Sequence, residues 1–261
     1  MNKNRIMAVI VRHLYNFTHQ LDRLSDSFYW PAMDLIIWGL TSQFVQGGNK
    51  LSNIVLILLS GLVFWQVVWR GQYEIAVNFL EEIWSENLVN ILSTPLRMGE
   101  WLAGVFVLSI VKMLMTVVFA IFLTFFMYKI NLLAFGWLLI PFFASLLLVG
   151  WWVGLIVTGF LVLYGRQIQT FAWAGVYLLA PFSAIYYPLS SLPGWAQTVA
   201  KFLPSSYIFE GMRDVLTGGS IPTEKLIISF VLNAVYLFAS ILFFRWCFKK
   251  SLEQGLAKLE Y

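Results

Sequence analysis

Residues 132–164 form a run of 33 residues without one charged side chain. At about 1.5 Å of rise per residue, a helix of that length exceeds the ~30 Å hydrocarbon layer of a bilayer. Proline is well tolerated in a first helical turn, so Pro141 marks where the helix proper starts and places a span at 139–164. Five more apolar runs lie at 28–45, 51–69, 101–128, 171–190 and 226–245. Within them the charges are Asp34 and Lys112, with Arg245 at the last boundary. Hydrophobic residues make up 60% of the chain and charged residues 11%, against about 45–50% and about 25% in soluble domains. So few charges cannot cover a water-soluble surface. The expected fold is an all-α integral membrane protein with six transmembrane helices.

Charge placement sets the orientation. An amino terminus in the cytoplasm puts eleven of the 17 Lys and Arg inside and five outside, so both termini are expected in the cytoplasm of a plasma (bacterial inner) membrane. The net charge of +4 is spread over short loops rather than gathered on one face, which argues against a nucleic-acid partner. The lone Cys247 excludes an intramolecular disulfide and a cysteine-rich metal site. In residues 1–27 the apolar run 6–11 is too short for a secretory signal. Ile6, Ile10, Leu14, Phe17, Leu21, Leu24 and Phe28 recur at steps of four and three beside Arg5, Arg12 and Arg23. That pattern predicts an amphipathic helix in the membrane surface, the other reading being a helix packed against the spans.

Two connections are much longer than spanning requires, and function is sought there. In the first, 70–100, the stretch 81–94 mixes acids and apolar residues at helical spacing. Ile83, Leu88, Ile91 and Leu92 form one face and Glu81, Glu82 and Glu86 point elsewhere, with Pro95 ending the helix. Such a stiff amphipathic helix suits docking to a partner, and a solvated linker is the plainer alternative. In the second connection, 188–225, Pro188, Pro193 and Pro204 break an apolar stretch into two short helices, about 195–203 and 207–216. Ser205 or Ser206 is expected to cap the second and Gly218 to close it. Short apolar helices between prolines match a re-entrant element at 192–217. On it Glu210 and Arg213 are spaced to pair, and Asp214 is placed to share the arginine.

No Gly-x-x-x-x-Gly-Lys-Ser/Thr loop, Gly-x-Ser-x-Gly elbow, His-Glu-x-x-His or Cys/His cluster occurs in the sequence. The chain is therefore read as no enzyme, with no metal site, no cofactor of its own and no means of cradling ATP. Gly150 and Gly154 form a small-x-x-x-small pair, more often internal packing than an oligomer seam. Lys112 and Asp34 are the charges that an ion-coupled secondary transporter or channel would use; the alternative function rests on them. Asp34, three residues after Pro31, is expected near the positive end of a helix.

The order of these segments carries a resemblance. An amphipathic start and two spans lead to an acidic helix ending in Ser93-Thr94-Pro95-Leu96. Four more spans follow, with Leu192-Pro193-Gly194-Trp195, Leu203-Pro204 and Glu210-Gly-Met-Arg213 before the last. Over nearly its whole length the chain resembles the membrane subunits of ABC-2 type exporters, the permease group that includes daunorubicin- and nodulation-factor-type exporters. Glu86-Asn87 stands where that family commonly has Gly-Thr. The resemblance implies a half-transporter: a second permease copy in a homodimer, a separate ABC ATPase subunit that holds ATP and Mg, and lipid around the spans. It makes 81–94 a coupling helix, with Glu81, Glu82, Ser85, Glu86, Leu88, Ile91 and Leu92 meeting the ATPase. It places the dimer seam and substrate pathway at the first and fifth spans, among Tyr29, Trp30, Trp38, Trp173, Tyr177, Tyr186 and Tyr187. It makes Glu210, Arg213 and Asp214 a polar cluster on external re-entrant helices. The expected function is outward movement of an amphipathic, lipid-linked or saccharide substrate.

Overall fold

A computed structural model describes residues 1–45, 53–219 and 221–254. The start of the second expected span, 51–52, and the chain end, 255–261, lie outside the described residues. Among those described, the regular structure is entirely helical. Helix α1 spans Lys3–His19, α2 Leu21–Val45, α3 Asn53–Trp84, α4 Leu88–Ser93, α5 Met98–Tyr128 and α6 Leu139–Tyr164. After them come α7 Phe171–Ala174, α8 Gly194–Ala200, α9 Pro204–Leu216 and α10 Thr223–Gln254. Four stretches are long and apolar enough to cross a membrane: Val55–Trp84, Met98–Tyr128, Leu132–Ile168 and Thr223–Gln254.

α3 is the central element and packs on α2, α5 and α6. Its closest partner is α6, because two glycines meet there. A Cβ on Gly150 would sit 2.8 Å from the Gly71 Cα and 2.5 Å from the Val68 carbonyl oxygen. The small pair in α6 thus serves internal packing, letting two backbones approach in the manner of small-residue membrane interfaces. A short stretch of tighter helix, Leu132–Leu138, precedes α6 and is broken at Gly136 (φ 58). Pro141 then lies in the first turn of α6, as the sequence reading expects.

Several boundaries differ from that reading. Residues 21–27 belong to α2 rather than to an amino-terminal helix, because Gln20 is extended (φ -106, ψ 107) and ends α1. Pro31 consequently lies inside α2, so Asp34 has no helix end to face. α3 does not stop at Trp69 but continues through Arg70 and Glu74 to Trp84. Segment 171–190 is not one regular helix. It is α7 followed by tight turns, with Pro181 removing a backbone donor and Ala184 in the left-handed region (φ 58). Glu81 and Glu82 close α3, and Glu86 (φ 53) turns the chain into α4, which has only six residues.

Candidate functional site

One end of the bundle gathers α1, α4 and the start of α5 around the end of α3. Glu82 is 1% exposed and accepts from Arg12 Nη2 at 2.7 Å and Asn87 Nδ2 at 2.8 Å, joining α1 to the turn before α4. Glu81 pairs with Arg23 of α2. Glu100 accepts from the Asn2 amide at 2.7 Å and the Arg97 amide at 3.1 Å, so one carboxylate holds the chain start and the first turn of α5. Arg166 donates to the Ile83 carbonyl at 3.2 Å. These bonds make α4 a knob clamped at its base. Leu88 and Ile91 turn inward and are buried, while Ser85, Glu86, Val89 and Asn90 are exposed.

α1 lies against α5, Val9 seated on Gly104, and buries Val9, His13 and Phe17. His13 is 1% exposed, and neither ring nitrogen has a hydrogen-bond partner. Burial, reinforced by Arg12, Lys112 and Arg23 and opposed by Glu74, pushes its pKa down to about 3, so the ring is neutral.

Within the bundle, Glu74 of α3 accepts from Lys112 Nζ of α5 at 2.7 Å, Arg70 Nη1 at 3.3 Å and Asn78 Nδ2 at 3.0 Å. Lys112 also lies 4.7 Å from the Phe17 ring centre. Sequence reading missed this cluster because it placed Arg70 and Glu74 in a loop. The signal was present: Gln66, Arg70, Glu74, Asn78 and Glu82 recur every fourth residue, one face of a helix.

Two cavities open beside this face. One, of about 660 Å³, lies among α1, the start of α2 and the end of α3, and is lined by His13, Arg23, Asp26, Glu81 and Glu82 among others. The second, of about 300 Å³, is walled by Trp30, Trp69, Trp173 and Tyr177, with Asp26, Asp34 and Gln66 on its polar side. Asp26 and Trp173 line both. Gln66 Nε2 donates to Asp34 Oδ2 at 3.2 Å.

At the opposite end, Arg213 of α9 is 8% exposed. It donates to Glu210 Oε1 at 2.9 Å, to the Ile185 carbonyl at 3.1 Å and to the Ala184 carbonyl. Glu210 also accepts from the Leu189 amide at 3.0 Å. The pair therefore pins the left-handed turn at Ala184 onto α9. A second polar seam joins α6 to α10: Ser145 and Ser229 hydroxyls are 2.7 Å apart, and Asn233 Nδ2 donates to Ser145 Oγ at 2.9 Å.

The ABC-2 type transporter family model matches residues 12–217, from within α1 to the end of α9. The chain belongs to that family. A search of curated proteins returned no match. As an ABC-2 membrane domain it is the permease component of an ABC transporter, a transport subunit, and such permeases usually pair with an ATPase subunit.

In this ABC-2 permease the expected site residues are sorted by their surroundings. Of the seven residues expected at the ATPase, Ser85 and Glu86 are exposed and Glu81 and Leu92 half-buried. Glu82, Leu88 and Ile91 are buried against their own chain, which leaves Val89 and Asn90 as the outward face of α4. A six-residue helix has too few turns to show a second apolar face, so periodicity assigned the inward face to the partner. Of the seven aromatics, Trp30, Trp173 and Tyr177 line the smaller cavity. Trp38 stacks on Tyr186 at 5.4 Å between ring centres, Tyr29 packs on Trp30, and the Tyr187 hydroxyl donates to the Pro181 carbonyl. Glu210 and Arg213 pair as the spacing predicts. Asp214 does not share the arginine; it accepts from Lys225 Nζ at 2.6 Å. Ser205 and Ser206 do not cap α9: Pro204 occupies its first turn, and their hydroxyls bond Ser183 and the Ala200 carbonyl. Gly218 (φ 81) follows α9 as expected.

Proposed function

We propose that the permease moves an amphipathic, lipid-linked or saccharide cargo outward across the plasma membrane, powered by a separate ATPase that docks on α4. Two copies form a homodimer, with the seam at α2 and segment 171–187 and both termini in the cytoplasm. In this arrangement α2 and segment 171–187 cross the bilayer beside the four long apolar stretches, and α8 and α9 form the external re-entrant pair.

The observation that supports the reading is the clamped knob. α4 presents Val89 and Asn90 outward and the turn before it Ser85 and Glu86, while Glu82–Arg12 and Arg166–Ile83 tie its base to α1 and to the turn after α6. A push on α4 therefore reaches α1, α3 and α6 together. ATP shifts the permease only through a difference in its affinity for two states of the ATPase pair.

The test is reconstitution with an ABC ATPase that co-purifies with the permease. ATP-dependent, vanadate-sensitive transport is the expected result. Uphill transport by the permease alone, driven by an ion gradient, would replace this reading with an ion-coupled transporter using Asp34 and Lys112.

A further inference from the structure

The two adjacent cavities carry a charge opposite to that of the whole chain. The chain has a net charge of +4, yet the cavities are lined by Asp22, Asp26, Asp34, Glu81 and Glu82 against Arg12 and Arg23. Both guanidiniums are already engaged, Arg12 with Glu82 and Arg23 with Glu81. Among the described residues, Asp22, Asp26 and Asp34 form no close ion pair, with Arg23 and the Tyr73 hydroxyl in the neighbourhood of Asp26.

The smaller cavity is also short of donors. Gln66 is 5% exposed; its amide nitrogen is committed to Asp34, and its carbonyl oxygen accepts no hydrogen bond among the described residues. Asp26 Oδ2 is buried and without a partner. In the larger cavity, buried Glu82 leaves Oε1 without a partner. These oxygens are acceptors that require N–H or O–H donors from an occupant. Around them stand the rings of Trp30, Trp173 and Tyr177, residue types that attract a cation. A saccharide ring needs donors and acceptors in alternation, and an anion in the smaller cavity would meet the carboxylates of Asp26 and Asp34.

We propose that the smaller cavity binds a cationic amphipathic amine, its ammonium held by Asp34 and Asp26 and its apolar body laid against Trp30, Trp173 and Tyr177. Asp26 and Trp173 also line the larger cavity, which lies beside it. The inference narrows the cargo class of the exporter reading, and its place on a transport route rests on that reading. The binding itself does not.

The test uses the full-length permease in phosphatidylcholine nanodiscs, without ATP or an ATPase. Equilibrium binding of radiolabelled propranolol, an aromatic secondary amine, is measured against protein-free nanodiscs. Saturable binding is expected, competed about tenfold less well by an uncharged ether of the same apolar body. Asp34→Asn should weaken binding by about tenfold, with its gel-filtration profile and melting temperature unchanged. Equal competition by the uncharged analogue, displacement by a neutral oligosaccharide, or no saturable binding would overturn the proposal. The wild-type comparison of charged and uncharged ligands stands even if Asp34→Asn fails to fold. Amine binding without ATP-driven transport would sink the exporter reading and leave the site intact. ATP-driven transport of a neutral saccharide without amine binding would do the reverse.

Discussion

Lys112 of α5 meets Glu74 of α3 at 2.7 Å where both side chains are shut off from solvent, 3% and 0% exposed. Breaking a buried pair from one side strands a charge, at a cost of about 3–5 kcal/mol, whereas replacing the partners together by apolar groups is often neutral. Lys112→Met alone should lower the melting temperature in detergent sharply. The triple change with Glu74→Leu and Arg70→Met should recover most of the loss. A single variant as stable as the parent would show that the network is not structural.

Val89 and Ile91 lie two residues apart on α4 but face opposite ways, one exposed and one buried. Val89→Asp should leave folding intact and uncouple ATP hydrolysis from transport in the reconstituted complex. Ile91→Asp should instead destabilise the fold by about 2–4 kcal/mol, since it buries an unpaired carboxylate. Coupling measured beside melting temperature separates the two, and intact coupling in Val89→Asp would move the docking face elsewhere.

Gly150 has backbone on the side where a Cβ would go, whereas Gly99 at the start of α5 has nothing within 4 Å. Gly150→Val should destabilise by about 1–3 kcal/mol or more through overpacking against α3. Gly99→Ala should be neutral or stabilising by up to about 1 kcal/mol. Thermal unfolding of the two variants side by side gives the comparison.

Arg213 serves two carbonyls and a carboxylate at once. Arg213→Ala should cost about 2–4 kcal/mol and should loosen segment 184–189, read as faster amide exchange there. Lysine should rescue poorly, because one ammonium cannot reproduce the planar fork. Asp214→Ala removes only a half-exposed pair with Lys225 and should cost under about 1 kcal/mol.

His13 provides a pH test. Its folded pKa is pushed down to about 3 by burial first and by Arg12, Lys112 and Arg23, while an unfolded histidine titrates near 6.5. The sign follows. The packed α1 holds the neutral ring, so its stabilisation is full above about pH 6.5 and is lost progressively as pH falls towards 3. Between pH 7 and 5 the loss is about 2 kcal/mol. Glu82, 3.8 Å away, and Glu74 on α3 oppose the effect, and Lys112 on α5 adds to it. Amide exchange in α1 should rise at pH 5, and His13→Gln should flatten the pH dependence. A variant with the parent's profile would assign the change to another group.

The membrane class was legible in the apolar runs because lipid exposure acts on composition directly, with no need to know which residues meet. The start of α6 near Pro141 and the Glu210–Arg213 pair were legible for a related reason: each is a local rule spanning a few residues. The cavity aromatics Trp30, Trp173 and Tyr177 were named through the family resemblance and Asp34 as a charge of the ion-coupled alternative, but neither was placed beside the other. Asp34 was assigned to a helix end, and the structure shows it held by Gln66, 32 residues away.

What the sequence determined alone was therefore an apolar helical chain, its punctuation and the two connections in which function was sought. Only the tertiary structure decided which face of each helix turned inward. Charge patterning ended α3 at Trp69, since Arg70 and Glu74 look like loop residues until Lys112 is brought to them from α5. The same held for Glu82, which looked like a docking acid until Arg12 reached it from α1. A charge in an apolar setting is read by its partner, and partners 38 and 70 residues apart are joined by packing rather than by any local pattern.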